Sequence, residues 1–277
     1  MAARADSRSP LQVPALIVVA SPEAFRICKR LGIDDPRFIE IEAKRRVVPE
    51  RAQELKRWLT GRRGVKHQKS VTFFDQFLDT KRMSLFRKGA SLRLRYKGNG
   101  SRVYLQYKGP GFHRNGLLYR SEFSTKRLKR LVLEESHHDI VQFNMETIQQ
   151  LFREALPVPM AAAMRRHLGE RTMRAVGQGP ILCVYQKDKF LVDLGEACLE
   201  PSLDRVFTFH ISKTGLHPLS SFCEYENEIK APEGSISRKL RHLDALMRFD
   251  AKLVRRFELR HERFDKYHRC GSFFIGK

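Results

Sequence analysis

The sequence lacks the cysteine spacing of a zinc site or a redox pair. Its five cysteines lie far apart, and no two of them form a CxxC pair. An odd number of scattered cysteines also argues against a disulfide framework, which needs paired thiols. We therefore expect free thiols in a reducing compartment and predict a cytoplasmic location.

Long apolar runs are also missing. No stretch approaches the roughly 18 to 20 apolar residues that a membrane-spanning helix requires, so no membrane span is predicted. Residues 13–20 are mostly apolar, but Pro14 interrupts them. We assign this stretch to an N-terminal arm rather than to a secretory signal.

Acidic residues are in deficit. The chain has 31 Asp and Glu against 53 Lys and Arg, which gives a net charge of +22. Hydrophobic residues make up 42% of the chain, so it can bury a core, and a wholly disordered chain is excluded. A charge this high favours a polyanionic partner, whether nucleic acid, an anionic membrane or a phosphate-rich small molecule.

Charged and apolar residues alternate in several short segments. Glu40, Glu42 and Lys44 fall at every second position, with Ile41 and Ala43 between them. Because successive side chains of a strand point to opposite faces, the charged residues share one face. The same alternation returns at residues 92–96, 103–108, 119–123 and 224–230. Each of these predicted strands therefore has one ionic face.

These strands predict an α+β fold, a closed antiparallel β-barrel that forms a tunnel with a charged lumen and helices packed outside. A half-exposed sheet explains any single strand, but five strands with acidic and basic faces fit one shared interior better. Apolar residues at helical spacing predict helices over residues 49–59, 143–155 and 161–168, and another from residue 236.

The chain divides into three predicted parts. Residues 1–36 form an N-terminal arm, residues 37–250 form the tunnel domain, and residues 251–277 form a basic C-terminal segment packed on the barrel. Aromatic residues are interleaved with the basic ones in this last segment. That pattern also occurs in nucleic-acid-binding proteins, but we favour an amphipathic helix that closes the barrel.

The sharpest chemical pattern is Glu40-x-Glu42-x-Lys44. Two carboxylates one pleat repeat apart can share a hard divalent cation, while the lysine takes a phosphate oxygen. Further blocks follow in order: FDQFLDT at residues 74–80, LRLR at 92–95, LQYKGP at 105–110, RSE at 120–122, LVD at 191–193 and EYENE at 224–228. Together these blocks resemble the CYTH, or triphosphate tunnel metalloenzyme, superfamily over residues 37–247. Leu78 departs from the pattern, because an aromatic residue is more usual there.

The resemblance implies a set of roles. The superfamily includes thiamine and inorganic triphosphatases, RNA triphosphatases, class IV adenylate cyclases and the polyphosphate polymerase domain. The implied catalytic residues are Glu40, Glu42 and Lys44. The implied substrate-binding residues are Lys44, Arg93, Arg95, Lys108, Arg120, Arg171 and Arg174, the last two on an expected basic strand. The implied ligands of Mg²⁺ or Mn²⁺ are Glu40, Glu42, Asp193, Glu226 and Glu228, with Glu224 as the alternative for the closing pair.

We therefore expect a metal-dependent triphosphatase acting on tripolyphosphate or an organic triphosphate. One alternative is phosphotransfer by a polyphosphate polymerase or an adenylate cyclase that uses the same site. FDKY at residues 264–267 resembles the FSKY segment of the polymerase domain, although Asp265 stands where serine is expected. A second alternative is a non-catalytic module that binds polyphosphate or RNA through its basic surface. The sequence does not fix the oligomeric state.

Overall fold

The computed structural model describes residues 21–97, 102–128, 145–230 and 236–275 of the chain. Eleven strands occur in this part: β1 Ile39–Val47, β2 Val65–Asp79, β3 Ser91–Lys97, β4 Arg102–Lys108, β5 Phe112–Arg114, β6 Leu117–Ser124, β7 Gly177–Asp193, β8 Cys198–Leu199, β9 Ser202–Ser212, β10 Gly215–Glu228 and β11 Arg260–His261. The helices of the same part are α1 Pro22–Leu31, α2 Pro49–Thr60, α3 Ser84–Arg87, α4 Met145–Ala155, α5 Val158–Leu168, α6 Glu170–Arg174, α7 Ile236–Arg241, α8 Leu243–Phe257 and α9 Lys266–Ile275.

Eight of the strands close into one antiparallel barrel. The ring runs β1–β10–β9–β7–β2–β3–β4–β6, and β6 pairs with β1 to complete it. Closure leaves few unpaired strand edges, and it gives every strand an inner and an outer face. The predicted α+β barrel with outer helices is therefore confirmed.

Local sequence explains where the strands turn. Asn115 and Gly116 lie between β5 and β6 with φ of 52° and 76°. A two-residue hairpin turn with positive φ at both positions favours an Asn-Gly pair, because its twist matches that of the flanking strands. This turn sets the register in which β6 returns along β1, with Arg120 opposite Glu40.

The helices cover the outer wall of the barrel with apolar faces. In α8, Leu246, Phe249, Leu253 and Phe257 are spaced three or four residues apart and are all buried. Such a stripe is what an amphipathic helix presents to a core. The predicted helix at residues 143–155 is present as α4, and residues 143 and 144 lie outside the described residues, as do residues 1–20 of the predicted N-terminal arm.

A second apolar cluster fills one end of the barrel interior. It joins inward-facing residues of β2, β7, β9 and β10 to Tyr267 and Cys270 of α9, both fully buried. Tyr267 stacks on Phe77, with ring centroids 4.6 Å apart. The open space of the lumen therefore lies toward the opposite end, which is called the mouth below.

No helix in the described part of the chain is long and apolar enough to cross a membrane.

Candidate active site

The lumen is a charged cavity of about 540 Å³. Acidic and basic side chains from β1, β3, β4, β6, β7 and β10 line it together with the start of α9. The charged lining residues are Arg37, Glu40, Glu42, Lys44, Arg93, Arg95, Lys108, Arg120, Glu122, Lys187, Lys189, Glu200, Glu226, Glu228, Asp265 and Lys266. Buried charge is costly unless it is paired, so the pairing inside the cavity decides what the site can do.

β1 contributes Glu40, Glu42 and Lys44, which face the lumen as the alternation predicts. Lys108 donates to both carboxylate oxygens of Glu40 at 2.9 Å. Arg120 donates to Glu40 at 2.7 Å and to Glu42 at 2.8 Å. Burial raises the pKa of Glu40, but Lys108 and Arg120 outweigh burial and hold that pKa well below its usual range.

Asp75 fixes the two arginines of β3. Its carboxylate is fully buried, and it accepts from Arg95 at 2.8 and 2.7 Å and lies 2.9 Å from Arg93. Tyr185 donates a further hydrogen bond at 3.0 Å. Burial alone would raise the pKa of Asp75, but Arg93 and Arg95 outweigh it and hold that pKa far below its usual range. The carboxylate therefore stays ionised and keeps both guanidinium groups in place.

A cluster of three carboxylates, called the acid cluster below, lies where β9 and β10 meet. It consists of Asp204, Glu224 and Glu226, whose oxygens lie within 4.8 Å of one another. Three lysines contact it from three different elements: Lys44 of β1, Lys187 of β7 and Lys266 of α9. Burial raises the pKa of Glu226, but these lysines outweigh burial and hold the pKa well below its usual range.

The acid cluster fits a hard divalent cation. Asp204 Oδ1 and Glu224 Oε2 are buried and have no hydrogen-bond partner among the residues that the structure describes. Carboxylate oxygens are the ligands that Mg²⁺ and Mn²⁺ prefer, and a buried oxygen without a donor is costly unless a cation compensates it. The donor set and its two unpartnered oxygens suit such an ion, which would replace at least one of the lysine ammonium groups that now pair with these carboxylates.

Glu42 and Glu228 form a second acidic group nearer the mouth. They lie directly opposite each other on β1 and β10. Burial, and then the charge of Glu40, raise the pKa of both carboxyls, and the pKa of Glu228 reaches about 7. Negative charge at this point of the lumen is thus only partly compensated, and bound positive charge would relieve it.

The start of α9 brings the last charged groups into the lumen. Asp265 lies 3.2 Å from Arg120 and accepts a hydrogen bond from Ser91. Tyr267 anchors the helix, because its hydroxyl donates to Asp79 at 2.7 Å. Asp79 also accepts from backbone N–H groups of α3, so a single carboxylate ties α3 and α9 to the end of β2.

Asp193 lies outside the lumen, so the prediction that it faces the metal is wrong. It is exposed at the end of β7, where its side chain accepts from the backbone N–H of Gly195 at 2.8 Å. Asp193 follows the alternation of Lys187 and Lys189, but it lies four residues beyond Lys189, or about 13 Å at the usual strand rise. Asp204, on the next long strand, is instead buried beside the lumen, where it contacts Lys187 and Lys266.

Arg171 and Arg174 do not lie on a strand, and the expected basic strand is wrong. They are exposed on α6, a short helix outside the barrel. Gly169, with φ of 81°, separates α6 from α5, and Met173 of α6 is buried. The basic residues that face the lumen from this part of the chain are Lys187 and Lys189 of β7.

The other predicted residues come together in the lumen, and their individual roles remain predictions. All three glutamates of the closing strand face inward: Glu224 and Glu226 belong to the acid cluster, and Glu228 lies opposite Glu42. Sequence reasoning missed the functional placement of Asp75, Lys187, Lys189, Asp204, Asp265 and Lys266. For Lys187 and Lys189 the signal was present, because they alternate with apolar and polar residues as the other lumen strands do.

One family profile and several solved structures are similar to this chain. The sequence profile of the CYTH domain matches residues 39–234. Among solved structures, HpAC1 from Hippeastrum, described with a dominant triphosphatase activity, is 15% identical with a TM-score of 0.53 over 84% of this chain and 96% of that one. PH1819 from Pyrococcus horikoshii OT3 is 14% identical with a TM-score of 0.46, over 85% and 99% of the two chains. The RNA triphosphatase Pct1 from S. pombe is 13% identical with a TM-score of 0.34, over 91% and 95%.

A comparison of the sequence with curated proteins finds no match. The likeness to HpAC1 indicates a common fold. The CYTH profile covers well over half of the chain and includes all the lumen strands. The chain therefore belongs to the CYTH domain family.

Proposed function

We propose that this chain is a divalent-metal-dependent phosphohydrolase that removes the terminal phosphate of inorganic tripolyphosphate or of an organic triphosphate held in the lumen. The observation that carries the proposal is the convergence of cations from β1, β3, β4, β6 and β7 on paired carboxylates in one enclosed space. HpAC1, which shares the fold, is described with a triphosphatase activity, and this agrees with the proposal.

The basic side chains provide the binding energy for the phosphates. Lys108 and Arg120 are paired with Glu40 and Glu42, and a triphosphate with several negative charges competes for the same donors. Arg93 and Arg95 need no reorganisation, because Asp75 already holds their guanidinium groups. Donors fixed in advance stabilise the charge that develops during phosphoryl transfer.

The acid cluster of Asp204, Glu224 and Glu226 would hold the metal, with Glu40, Glu42 and Glu228 as a second set of carboxylates nearer the mouth. When bound, Mg²⁺ or Mn²⁺ supplies positive charge that stabilises the charge developing on phosphoryl oxygens. The residues of the chain position the substrate and exclude bulk water from it. Water is the proposed acceptor, so the chemistry requires no serine or cysteine nucleophile.

A second candidate, polyphosphate synthesis, is supported by residues 264–267. This segment resembles one in the polyphosphate polymerase domain, and both Asp265 and Lys266 line the lumen. The same basic residues of the lumen would then position the phosphoryl group for transfer to another phosphate rather than to water. The two functions differ in their products, so one assay separates them.

The test is a substrate panel with Mg²⁺ and Mn²⁺ supplied separately. Tripolyphosphate, ATP and thiamine triphosphate are incubated with the full chain, and phosphate, pyrophosphate, cyclic AMP and polymer are all measured. We expect phosphate release from at least one triphosphate with either metal and none with a chelator. Polymer or cyclic AMP as the main product would indicate phosphotransfer instead of hydrolysis. Binding of the triphosphates without any product would indicate a non-catalytic binding module.

A further inference from the structure

Two lysines face each other at the mouth of the lumen. Lys69 of β2 and Lys189 of β7 are direct partners in the antiparallel ladder, next to an irregularity in β2 between His67 and Lys69. Like charges placed directly opposite on neighbouring strands destabilise a sheet. The pair therefore costs folding free energy, which points to a role outside folding.

Lys189 lies on the inner face of the barrel, and Lys69 belongs to the inner-facing series of β2 by alternation but is exposed at the rim, outside the residues that line the cavity. Lys189 lines the cavity, and it lies two residues from Lys187, which reaches Glu226 at 2.6 Å inside the lumen. Lys69 alternates in the same sense as Val71 and Phe73, which pack in the apolar cluster within the barrel. Burial lowers the pKa of Lys189, and the positive charges of Lys187 and Lys69 lower it further, which outweighs the opposite effect of Glu228 and Glu200.

Among the residues that the structure describes, the two lysines differ from the other cations in and around the cavity because neither makes an ion pair with a carboxylate. Each of the others makes an ion pair within the protein: Arg37, Lys44, Arg93, Arg95, Lys108, Arg120, Lys187 and Lys266. Across residues 21–97, 102–128, 145–230 and 236–275, no carboxylate lies within ion-pair distance of Lys69 or Lys189. Glu228 and Glu200 act on Lys189 only from beyond ion-pair distance, so an anion that arrives at this point meets positive charge that the described residues compensate only in part.

We infer that Lys69 and Lys189 form a phosphate subsite at the mouth, and that this subsite takes the phosphates of a linear inorganic polyphosphate that extend beyond those held deeper in the lumen. The inference rests on the proposed function, because it assumes that a triphosphate segment occupies the lumen. The preferred substrate class is then a polyphosphate longer than three units.

The chemistry of the substrate's outer part separates polyphosphate from an organic triphosphate. In an organic triphosphate, the group that follows the last phosphate is an ester-linked organic residue, such as an uncharged sugar, which offers little to an ammonium group. In a linear polyphosphate the following group is another phosphate, which two adjacent ammonium groups can bind by charge-assisted hydrogen bonds. Gln68 also lines the cavity here and adds an amide that can donate to a phosphate oxygen.

The experiment measures binding without metal, so that turnover does not interfere. The probes are tripolyphosphate, a linear polyphosphate several units longer, and an oligonucleotide with a 5′-triphosphate. The Lys69→Ala/Lys189→Ala variant is compared with Lys213→Ala/Lys252→Ala, which removes two exposed lysines from the β9–β10 turn and from α8 and changes the net charge equally.

We expect wild type to bind the longer polyphosphate roughly tenfold more tightly than tripolyphosphate, as two charge-assisted contacts would provide. The Lys69→Ala/Lys189→Ala variant should lose this difference while its affinity for tripolyphosphate stays within about threefold of wild type. The control variant should retain the difference. Thermal stability should not fall in Lys69→Ala/Lys189→Ala, because the substitution removes a repulsion.

Three results would overturn the subsite. They are equal affinity of wild type for short and long polyphosphate, equal loss of both affinities in the variant, and a drop in melting temperature that accounts for weaker binding. The assignment to polyphosphate would also be overturned if the oligonucleotide bound more tightly than tripolyphosphate and this difference in affinity depended on Lys69 and Lys189. Failure of wild type to bind tripolyphosphate at all would instead refute the proposed function. The two outcomes are distinguishable because tripolyphosphate tests the proposed function and the longer polyphosphate tests the subsite.

Discussion

Glu42 is held in the lumen by a single ion pair in the described part of the chain, to Arg120 at 2.8 Å. Burial and the neighbouring Glu40 raise its pKa, so its negative charge is under-compensated until a cation binds. We predict that Glu42→Gln lowers kcat by roughly 10²-fold, because one charge that helps to hold the metal is lost, while the basic groups still bind triphosphate.

Steady-state kinetics with tripolyphosphate and direct binding check this prediction together. Glu196→Gln is the matched control, since Glu196 is exposed and pairs with Arg248 on the surface. Turnover like that of wild type in Glu42→Gln would remove this residue from the metal assignment.

Asp75 predicts a dependence of stability on pH. Its pKa is far below the ordinary unfolded value of about 3.9, because Arg93 and Arg95 outweigh the effect of burial. A carboxyl with a lowered folded-state pKa stabilises the fold above its unfolded pKa, and this contribution is lost as the pH falls toward the folded-state pKa. Wild type should therefore lose stability as the pH drops below about 4.

Asp75→Asn should remove about 3 to 5 kcal/mol of stability at neutral pH, because it leaves two buried guanidinium groups without their carboxylate. Its stability should then change less than that of wild type under acid, so that the two curves converge at low pH. Denaturant unfolding over a pH series measures both effects. Asp193→Asn, at an exposed site, should follow the wild-type curve, and parallel curves for Asp75→Asn and wild type would contradict the argument.

At the scale of elements, α9 places the ammonium group of Lys266 against all three carboxylates of the acid cluster. Burial lowers the pKa of Lys266, but Asp204, Glu224 and Glu226 outweigh it and raise that pKa well above its usual range. The helix thus brings positive charge to the place where a metal would sit. Removing that charge should increase the dependence of the fold on the metal.

We predict that Lys266→Met lowers the free energy of unfolding by about 3 to 5 kcal/mol in a chelator, because the three buried carboxylates then share only two lysines. Mn²⁺ should raise the melting temperature of this variant by more than that of wild type, since an ion that binds only the folded state stabilises it. Lys252→Met, on the outer helix α8, serves as the control. An equal response of both proteins to Mn²⁺ would place the metal away from the acid cluster.

The sequence predicted some elements of the site because alternation is a local signal. Glu40, Glu42 and Lys44 face the lumen because a strand with one apolar face must turn the other face away from the core. The same reasoning failed for Asp193, which has the right alternation but lies past the barrel rim. Alternation sets the face of a strand, and only the pairing of strands sets the level in the barrel.

Arg171 and Arg174 are a second case in which the prediction from sequence failed. Their spacing of three residues puts them on one face of a helix but on opposite faces of a strand, so the spacing itself favours the observed helix, in which Met173 is buried. Lys266 could not be placed from sequence, because its position depends on α9 returning to the far end of the barrel after some 40 residues that follow β10. Contacts between distant segments carry no periodic signal in the sequence.

At the scale of the whole molecule, the net charge of +22 exceeds what the lumen contains. Cations and carboxylates are mixed in the lumen, whereas α5 and α6 carry Arg165, Arg166, Arg171 and Arg174 on exposed surface. The molecule therefore has two kinds of positive charge. One is enclosed and mostly paired with carboxylates, and the other is spread over the surface and screened by salt.

These two kinds of charge predict different responses to salt. A long polyanion such as single-stranded RNA without a triphosphate binds the outer surface and releases counterions, so its affinity falls steeply as salt rises. A triphosphate in the lumen displaces carboxylates that already neutralise the lysines and arginines, and it is too short to carry the counterion atmosphere of a nucleic acid. Its affinity should fall much less.

We therefore predict that raising salt from about 50 to 200 mM weakens RNA binding by roughly 10³-fold or more and tripolyphosphate binding by less than about tenfold. Slopes of log affinity against log salt, measured by competition for the same protein, check this. Arg171→Ala/Arg174→Ala should reduce the RNA slope and leave tripolyphosphate turnover unchanged, because both side chains lie outside the barrel. Equal slopes for the two ligands would mean that both bind the open surface, and the lumen would then not be the binding site of the triphosphate.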